Sequence, residues 1–165
     1  QHELSSILAG VRLRDLMNTN VITVREDFTV DVMLKDYFGY YMKSSFPVMD
    51  ADGRLLGMVM LKSAAQIPVE KRPMIRAIDI MVPASELAIM SPDRKADEAL
   101  AQMTRTRFGK VFVCDPHRRL LGLVSKTDIL SVASERQEYR KELEGYTSEL
   151  RRASSADSST TGEAV

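Results

Sequence analysis

A chain of 165 residues with 44% hydrophobic and 28% charged side chains has the balance of a globular protein, with room for one sizeable core or two small interlocked ones. Its 23 basic residues cancel its 23 acidic ones, which leaves no global field to draw it to nucleic acid, an anionic membrane surface or a polyanionic substrate. A single cysteine excludes an internal disulfide, and no apolar run approaches the roughly 18 residues that a membrane-spanning helix needs.

In chain order, residues 1–10 carry Leu4, Ile7 and Leu8 at helical spacing and stop at Gly10, which predicts a short helical leader closed by a glycine cap. The start at Gln1, with neither an initiator methionine nor a signal-peptide pattern, reads as a piece of a longer chain. A first unit spans 11–67. In it, Asp15-Leu16-Met17 precedes a short apolar run from Val21 to Val24, and then Val30, Leu34, Tyr37, Phe38 and Tyr41 fall at helical spacing. Two further apolar runs, Phe46-Pro47-Val48-Met49 and Leu55-Leu56-Gly57-Met58-Val59, flank the turn residues Asp50-Ala51-Asp52-Gly53 and predict a hairpin. A second helix starts near Leu61, and 68–76 is a linker.

The second unit, 77–130, repeats this order. Asp79-Ile80-Met81 answers the first motif 64 positions on, while Val111-Phe112-Val113-Cys114-Asp115 and Leu120-Leu121-Gly122-Leu123-Val124 answer the two hairpin strands at 65, so one residue was gained between them. Between them lie the apolar run Leu87 to Met90 and the helical set Ala96, Ala99, Leu100 and Met103; the turn is Asp115-Pro116-His117-Arg118, and the last helix starts near Lys126. Each unit is strand, helix, strand, strand, helix, too small to bury a core alone. The fold class is α+β (α/β): two pseudo-symmetric β-α-β-β-α repeats packed sheet against sheet, with a C-terminal helical extension. That extension is expected as a helix over 131–152, with Tyr139, Leu143, Tyr146 and Leu150 forming a narrow apolar seam that wants a partner, followed by a serine- and threonine-rich disordered tail over 153–165.

Few residues offer reactive chemistry. Cys114 sits in an apolar run, where a free thiol behaves as a small buried hydrophobe. His2 and His117 are isolated, no His-Glu-x-x-His stretch occurs, and a catalytic zinc takes about three protein ligands, so the chain carries no catalytic and no metal residues. The basic set Arg105, Arg107, Lys110, Arg118 and Arg119 has only Phe108 interleaved and reads as a solvated rim. At the last helix, Ser125 with Asp128 three residues on admits two readings. It fits a capping box. It also fits a ligand site, because free amides and a hydroxyl at a helix start attract an anion while a carboxylate one turn in accepts from vicinal hydroxyls. The first unit has Met60-Leu61-Lys62-Ser63 at the equivalent place, so it starts its helix without that pair and has lost the corresponding site.

Arg14-Asp15-Leu16-Met17, Ile78-Asp79-Ile80-Met81, Phe46-Pro47-Val48 and Gly122-Leu123-Val124-Ser125-Lys126-Thr127-Asp128 resemble the motifs of a tandem pair of CBS (cystathionine-beta-synthase) domains over residues 11–130. The segment Leu8 to Met17 and the linker Ile67-Pro68-Val69-Glu70 further resemble the CBS region of site-2-protease-like membrane zinc metalloproteases. The resemblance implies a regulatory module that binds an adenosine nucleotide (AMP, ADP or ATP) through Ser125 on phosphate and Asp128 on ribose. Gly109, Lys110 and Val111, led in by Phe108, and Ile89 and Met90 supply further contacts. It implies no cofactor in this chain, zinc only in the parent protein, a homodimer through the CBS helices, no nucleic-acid partner, and a cytoplasmic location, on the cytosolic side of a membrane protein that carries the protease domain. Three alternatives stay open: a ligand-free dimerisation scaffold, the sensor domain of another membrane protein, and a stand-alone CBS protein.

Overall fold

The computed structural model describes the backbone of residues 2–164 and the side chains of residues 3–156. The chain divides into two compact units, one of residues 10–129 and one that joins residues 1–9 to 130–165.

The larger unit holds both repeats. After α2 (Leu13–Leu16), the first repeat runs through β1 (Val24–Arg25), helix α3 over 30–41, the hairpin β2 (Ser45–Met49) and β3 (Leu55–Met60), and α4 (Leu61–Ala65). The second runs through α5 (Ala77–Ile80), β4 (Val82–Pro83), β5 (Ile89–Met90), α6 (Ala96–Met103), the hairpin β6 (Lys110–Cys114) and β7 (Leu120–Ser125), and into α7 (Lys126–Ala164). In each repeat the first strand pairs parallel to the second and the second antiparallel to the third, with a bulge at the same place, Val48/Met49 and Val113/Cys114. The predicted order of strand, helix, strand, strand and helix is found in each repeat, with the short elements α2, α5 and β4 in addition.

The repeats exchange their opening segments. β4, which follows the opening motif of repeat two, joins the sheet of repeat one against β3, while Asn18, which follows the motif of repeat one, exchanges two hydrogen bonds of 2.9 and 3.0 Å with Leu123 on β7. The motifs themselves dock the same way. Leu13 and Arg14 donate to Arg94 O and Pro92 O, and Ala77 and Ile78 donate to Phe28 O and Glu26 O. Arg14 also forms an ion pair with Asp93. In both motifs the aspartate carboxylate caps its own short helix, Asp15 accepting from Arg12 N and Asp79 from Arg76 N, each at 2.9 Å.

The glycine of each Leu-Leu-Gly stretch follows from this exchange. A Cβ on Gly57 would lie 2.2 Å from Val82 O and 2.8 Å from the Met81 sulfur; one on Gly122 would lie 2.8 Å from Asn18 O and 3.0 Å from Met17 Cβ. Each repeat's methionine is seated on the other repeat's glycine. Between the sheets, Met49, Leu55, Met58, Leu87, Phe112 and Cys114 form a shared apolar layer. Against the outer face of the first sheet, α3 and the α5 region bury Val24, Val30, Met33, Phe38, Phe46, Val48, Val59, Ala64 and Ala77. Fully burying side chains of this size is worth about 1.5–3 kcal/mol each, so this layer dominates the stability of the half.

Helix α3 is irregular: α-helical at Val30–Val32, π-helical over Met33–Phe38, α-helical again at Gly39–Tyr41. A π stretch is a one-residue insertion into a helix. The strand register shows it: Val24 and Met90, which occupy equivalent places, are 66 apart, whereas Ser45 and Lys110 are 65 apart. The single residue inferred from the repeat spacing is therefore a net value. Two residues are gained before β5, and one is lost where α6 lacks the π turn.

In the other unit, α1 (His2–Ile7) is followed by a turn ending at Gly10, whose φ is +81°. Arg136 donates to Ile7 O and Ala9 O, and Arg140 to Ser6 O, so guanidinium groups of α7 satisfy carbonyls at the end of α1. The boundaries placed at 130/131 and 152/153 from composition both fall inside α7, which continues from the second repeat without a break. The expected tail at 153–165 carries no proline to stop a helix, and its backbone continues helical as far as Ala164.

Candidate ligand cleft

The antiparallel register sets which side chains share a face, because directly opposed residues point the same way. On β6 and β7, Lys110 opposes Ser125 and Phe112 opposes Leu123; on β2 and β3, Ser45 opposes Met60 and Pro47 opposes Met58. Six of these residues, Ser45, Pro47, Met58, Lys110, Phe112 and Leu123, gather where the two hairpins meet. Between them lies a cavity of about 470 Å³ with a floor of Pro47, Met58, Phe112 and Leu123 and a mouth of Met42, Lys43, Ser44, Ser45 and Lys110. Positions 45 and 110, 47 and 112, and 58 and 123 are repeat equivalents, so the cavity is axial.

Lys110 spans that axis, its Nζ donating to Ser45 Oγ at 2.8 Å. Burial, and then the neighbouring charge of Lys43, hold the Lys110 ammonium below its ordinary pKa. Among the described residues, no carboxylate lines the cavity.

Ser125 and Asp128 stand at the start of α7 and bond each other reciprocally: Ser125 N donates to Asp128 Oδ2 at 2.9 Å, and Asp128 N donates to Ser125 Oγ at 3.0 Å. This is a complete capping box, with Ser125 half-buried and Asp128 exposed. The first repeat has no such pair, since Met60 precedes α4 without a side-chain cap. Gly109 O accepts from Lys126 N at 2.9 Å, tying the approach to β6 to the same helix start. Gly109 and Lys126 also line a 230 Å³ depression with Phe108, over whose ring Arg107 lies at 5.1 Å.

The remaining residues anticipated from sequence lie deeper. Val111 is fully buried, Met90 is buried, and Ile89 packs half-buried against the layer between the sheets. Of the anticipated set, the structure brings Lys110, Ser125, Asp128 and Gly109 to one end of the β6–β7 ladder; Ile89, Met90 and Val111 are packed in the protein interior and line none of these cavities. Lys43, Ser44 and Ser45 were not anticipated. Their signal in the sequence was the equivalence of Ser45 with Lys110.

No helix among the described residues is long and apolar enough to cross a membrane. Among the same described residues, no three or more His, Cys, Asp or Glu gather where they could hold a metal ion.

Two interlocked β-α-β-β-α repeats with clefts between their sheets define a paired-domain module. Residues 13–69 and 76–135 both match the CBS domain family, and the chain belongs to that family as a tandem CBS pair. It is 27% identical over 121 residues to the uncharacterized protein MJ0188 of Methanocaldococcus jannaschii, covering 73% of this chain and 43% of that one. It is 31% identical over 137 residues to the zinc metalloprotease MJ0392 of the same organism, covering 80% of this chain and 35% of that one. The chain thus spans less than half the length of either relative. Among solved structures it is similar to the CBS domain of a bacterial CNNM/CorC family Mg2+ transporter in complex with ATP, with a TM-score of 0.70, 16% identity, and coverage of 81% of this chain and 93% of that one. It is also similar to CBSX2 in complex with AMP, with a TM-score of 0.64, 19% identity, and coverage of 76% and 98%.

Proposed function

We propose that this CBS pair is a regulatory module that binds one adenosine nucleotide per chain in the second-half cleft, and that occupancy biases an attached protein. The observation that carries this is the convergence at the start of α7 of a hydroxyl (Ser125), a carboxylate (Asp128) and, directly across the ladder, an ammonium (Lys110). Only Oδ2 of Asp128 is used in the cap, which leaves Oδ1 for ribose hydroxyls. Gly109 lies beside this helix start, and Val111, Ile89 and Met90 support it from the interior. That the two solved neighbours hold ATP and AMP supports an adenosine ligand. The similarity to a zinc metalloprotease supports a membrane protease as the attached partner, with the zinc in that part and this module on the cytosolic side. A ligand shifts such a partner only by its differential affinity for two arrangements of the module.

Calorimetry with AMP, ADP and ATP tests the binding step. One site per chain is expected, with Asp128→Ala costing on the order of 1.5–3 kcal/mol of affinity for the lost charge-assisted contact. Absence of heat at millimolar nucleotide would leave Ser125 and Asp128 as a helix cap alone. A scaffold role is the second reading, favoured by the exposed seam of Tyr139, Leu143, Tyr146 and Leu150, whose exposures run from 53 to 68%. Sedimentation distinguishes it, because a monomer at tens of micromolar removes the scaffold and the dimer together.

A further inference from the structure

From Ser134 to Arg152, helix α7 carries polar or charged residues and one glycine, except along one row. The large apolar side chains in this stretch are Tyr139, Leu143, Tyr146 and Leu150, and all four fall on a single stripe at steps of four, three and four. None lies off it. A merely solvated helix has no use for such order, whereas these are the alternating inner places of a seven-residue repeat in a two-helix coil. Ala153 extends the row by one more step, to a stripe about 21 Å long. Each of the four large side chains is more than half exposed, while α1 meets α7 on the neighbouring flank, where Arg136 and Arg140 bond its carbonyls.

The charges beside the row decide its direction. Glu135, Glu142 and Glu149 recur every seventh residue along one flank, and Arg140, Thr147 and Ser154 along the other. Thr147 turns its hydroxyl back onto Leu143 O at 2.9 Å, so that flank carries no acid and no unmet hydroxyl at its centre. Among the described residues, none of the three glutamates has a cation within salt-bridge reach. In an antiparallel pair of copies the two glutamate flanks would face each other, and like charges would line the whole contact. In a parallel pair each glutamate flank faces the other copy's second flank, with Glu135 opposite Arg140. A second copy thus offers the row a matching surface in one direction only.

We propose that α7 pairs with α7 of a second copy as a short parallel coil over 139–153, in register, with like residues opposed. This names the partner and the direction that the scaffold reading leaves open. It stands on α7 alone, independent of nucleotide binding and of any contact through the repeats' own helices.

Oxidation of the full chain with diamide tests the pairing in single variants: Tyr139→Cys, Leu143→Cys and Leu150→Cys on the row, and Ser148→Cys on the opposite face. Cys114 is 4% exposed, so the parent chain gives the background. Like positions meet in a parallel pair, so each row cysteine is expected to cross-link to its own kind at least about tenfold faster than Ser148→Cys on non-reducing gels. An equimolar mix of Tyr139→Cys and Leu150→Cys should give the two self-linked products and almost no mixed one, because the two places lie about 16 Å apart along the helix. Adding Leu143→Glu to Leu150→Cys should slow cross-linking about tenfold and leave the melting temperature at that of the parent, since Leu143 is 53% exposed. Row cysteines no faster than Ser148→Cys overturn the pairing even where sedimentation shows a dimer, and that dimer then rests on the repeats' helices. A dominant mixed product means antiparallel pairing and overturns it as well, and neither result touches the nucleotide reading.

Discussion

At the tip of each hairpin the backbone needs one residue at positive φ, and the repeats meet that need differently: Gly53 at +81° in the first, Arg118 at +65° in the second. Both turns are otherwise alike, with Asp50 and Asp115 each accepting two backbone amides through Oδ1, and each carboxylate is held below its ordinary pKa chiefly by those amide bonds. Arg118→Gly keeps the backbone bonds to Asp115 O and Leu55 N and removes the steric cost, and the greater freedom of glycine in the unfolded chain cancels part of that gain. A net stabilisation of about 0.5–1 kcal/mol is expected in urea unfolding, and a loss would mean that the arginine side chain matters more than its backbone. Cys114, 4% exposed, has its thiol raised from 9.0 to about 11, first by burial and then by Asp115. Because the folded pKa lies above the unfolded one, the stability it contributes is complete below pH 9 and is lost as pH rises through about 11. Native protein is expected to resist maleimide labelling at pH 8, and unfolded protein to react at once. At this scale Ser125 and Asp128 were legible because their spacing is local. Lys43 and Ser45 were not, because strands far apart in sequence make the cavity they line.

Elements with long apolar or periodic runs were legible, namely both hairpins, α6 and the helices starting at Leu61 and Lys126. What the runs could not show was where each edge strand goes. β4 is two residues long and pairs in the other repeat's sheet, so nothing in its own composition names its partner. The π stretch was hidden too, since hydrophobic spacing at 30, 34, 37, 38 and 41 fits an α-helix as well; along it Phe38 is buried and Tyr37 packs against Phe28 and Phe46, while Tyr40 and Tyr41 are exposed. The two glycines give the strand exchange a direct test. Alanine at Gly57 meets the Val82 carbonyl at 2.2 Å, a backbone atom that moves only with β4, whereas alanine at Gly122 meets Asn18 O at 2.8 Å. Overpacking of this kind costs about 1–3 kcal/mol, and Gly57→Ala is expected to be the more damaging. Equal and negligible losses in chemical denaturation would contradict the crossing.

For the whole 10–129 unit, the exchange of opening segments decides how it can fold. Each repeat receives from the other a capped helix and an edge pairing: α2 docks on residues 92–96, α5 on residues 26–30, Asn18 on β7 and β4 on β3. The layer between the sheets is likewise drawn from both, with Met49, Leu55 and Met58 on one side and Leu87, Phe112 and Cys114 on the other. A chain cut in the linker at 68–76 would therefore yield halves of about 60 residues, each missing its own edge and exposing the inter-sheet layer, and domains that small are marginal even when complete. Residues 10–70 and 71–135 made separately are each expected to lack a cooperative melting transition. Mixed, they should regain one, because every exchanged contact is noncovalent and the cut falls in an exposed segment. Co-expression followed by size exclusion and thermal melting reads this directly. If either half alone melted cooperatively as a monomer, its fold would not need the segment borrowed from its partner, and the pairing of Met17 with Gly122 and of Met81 with Gly57 would be packing detail with no bearing on how the repeats are held together.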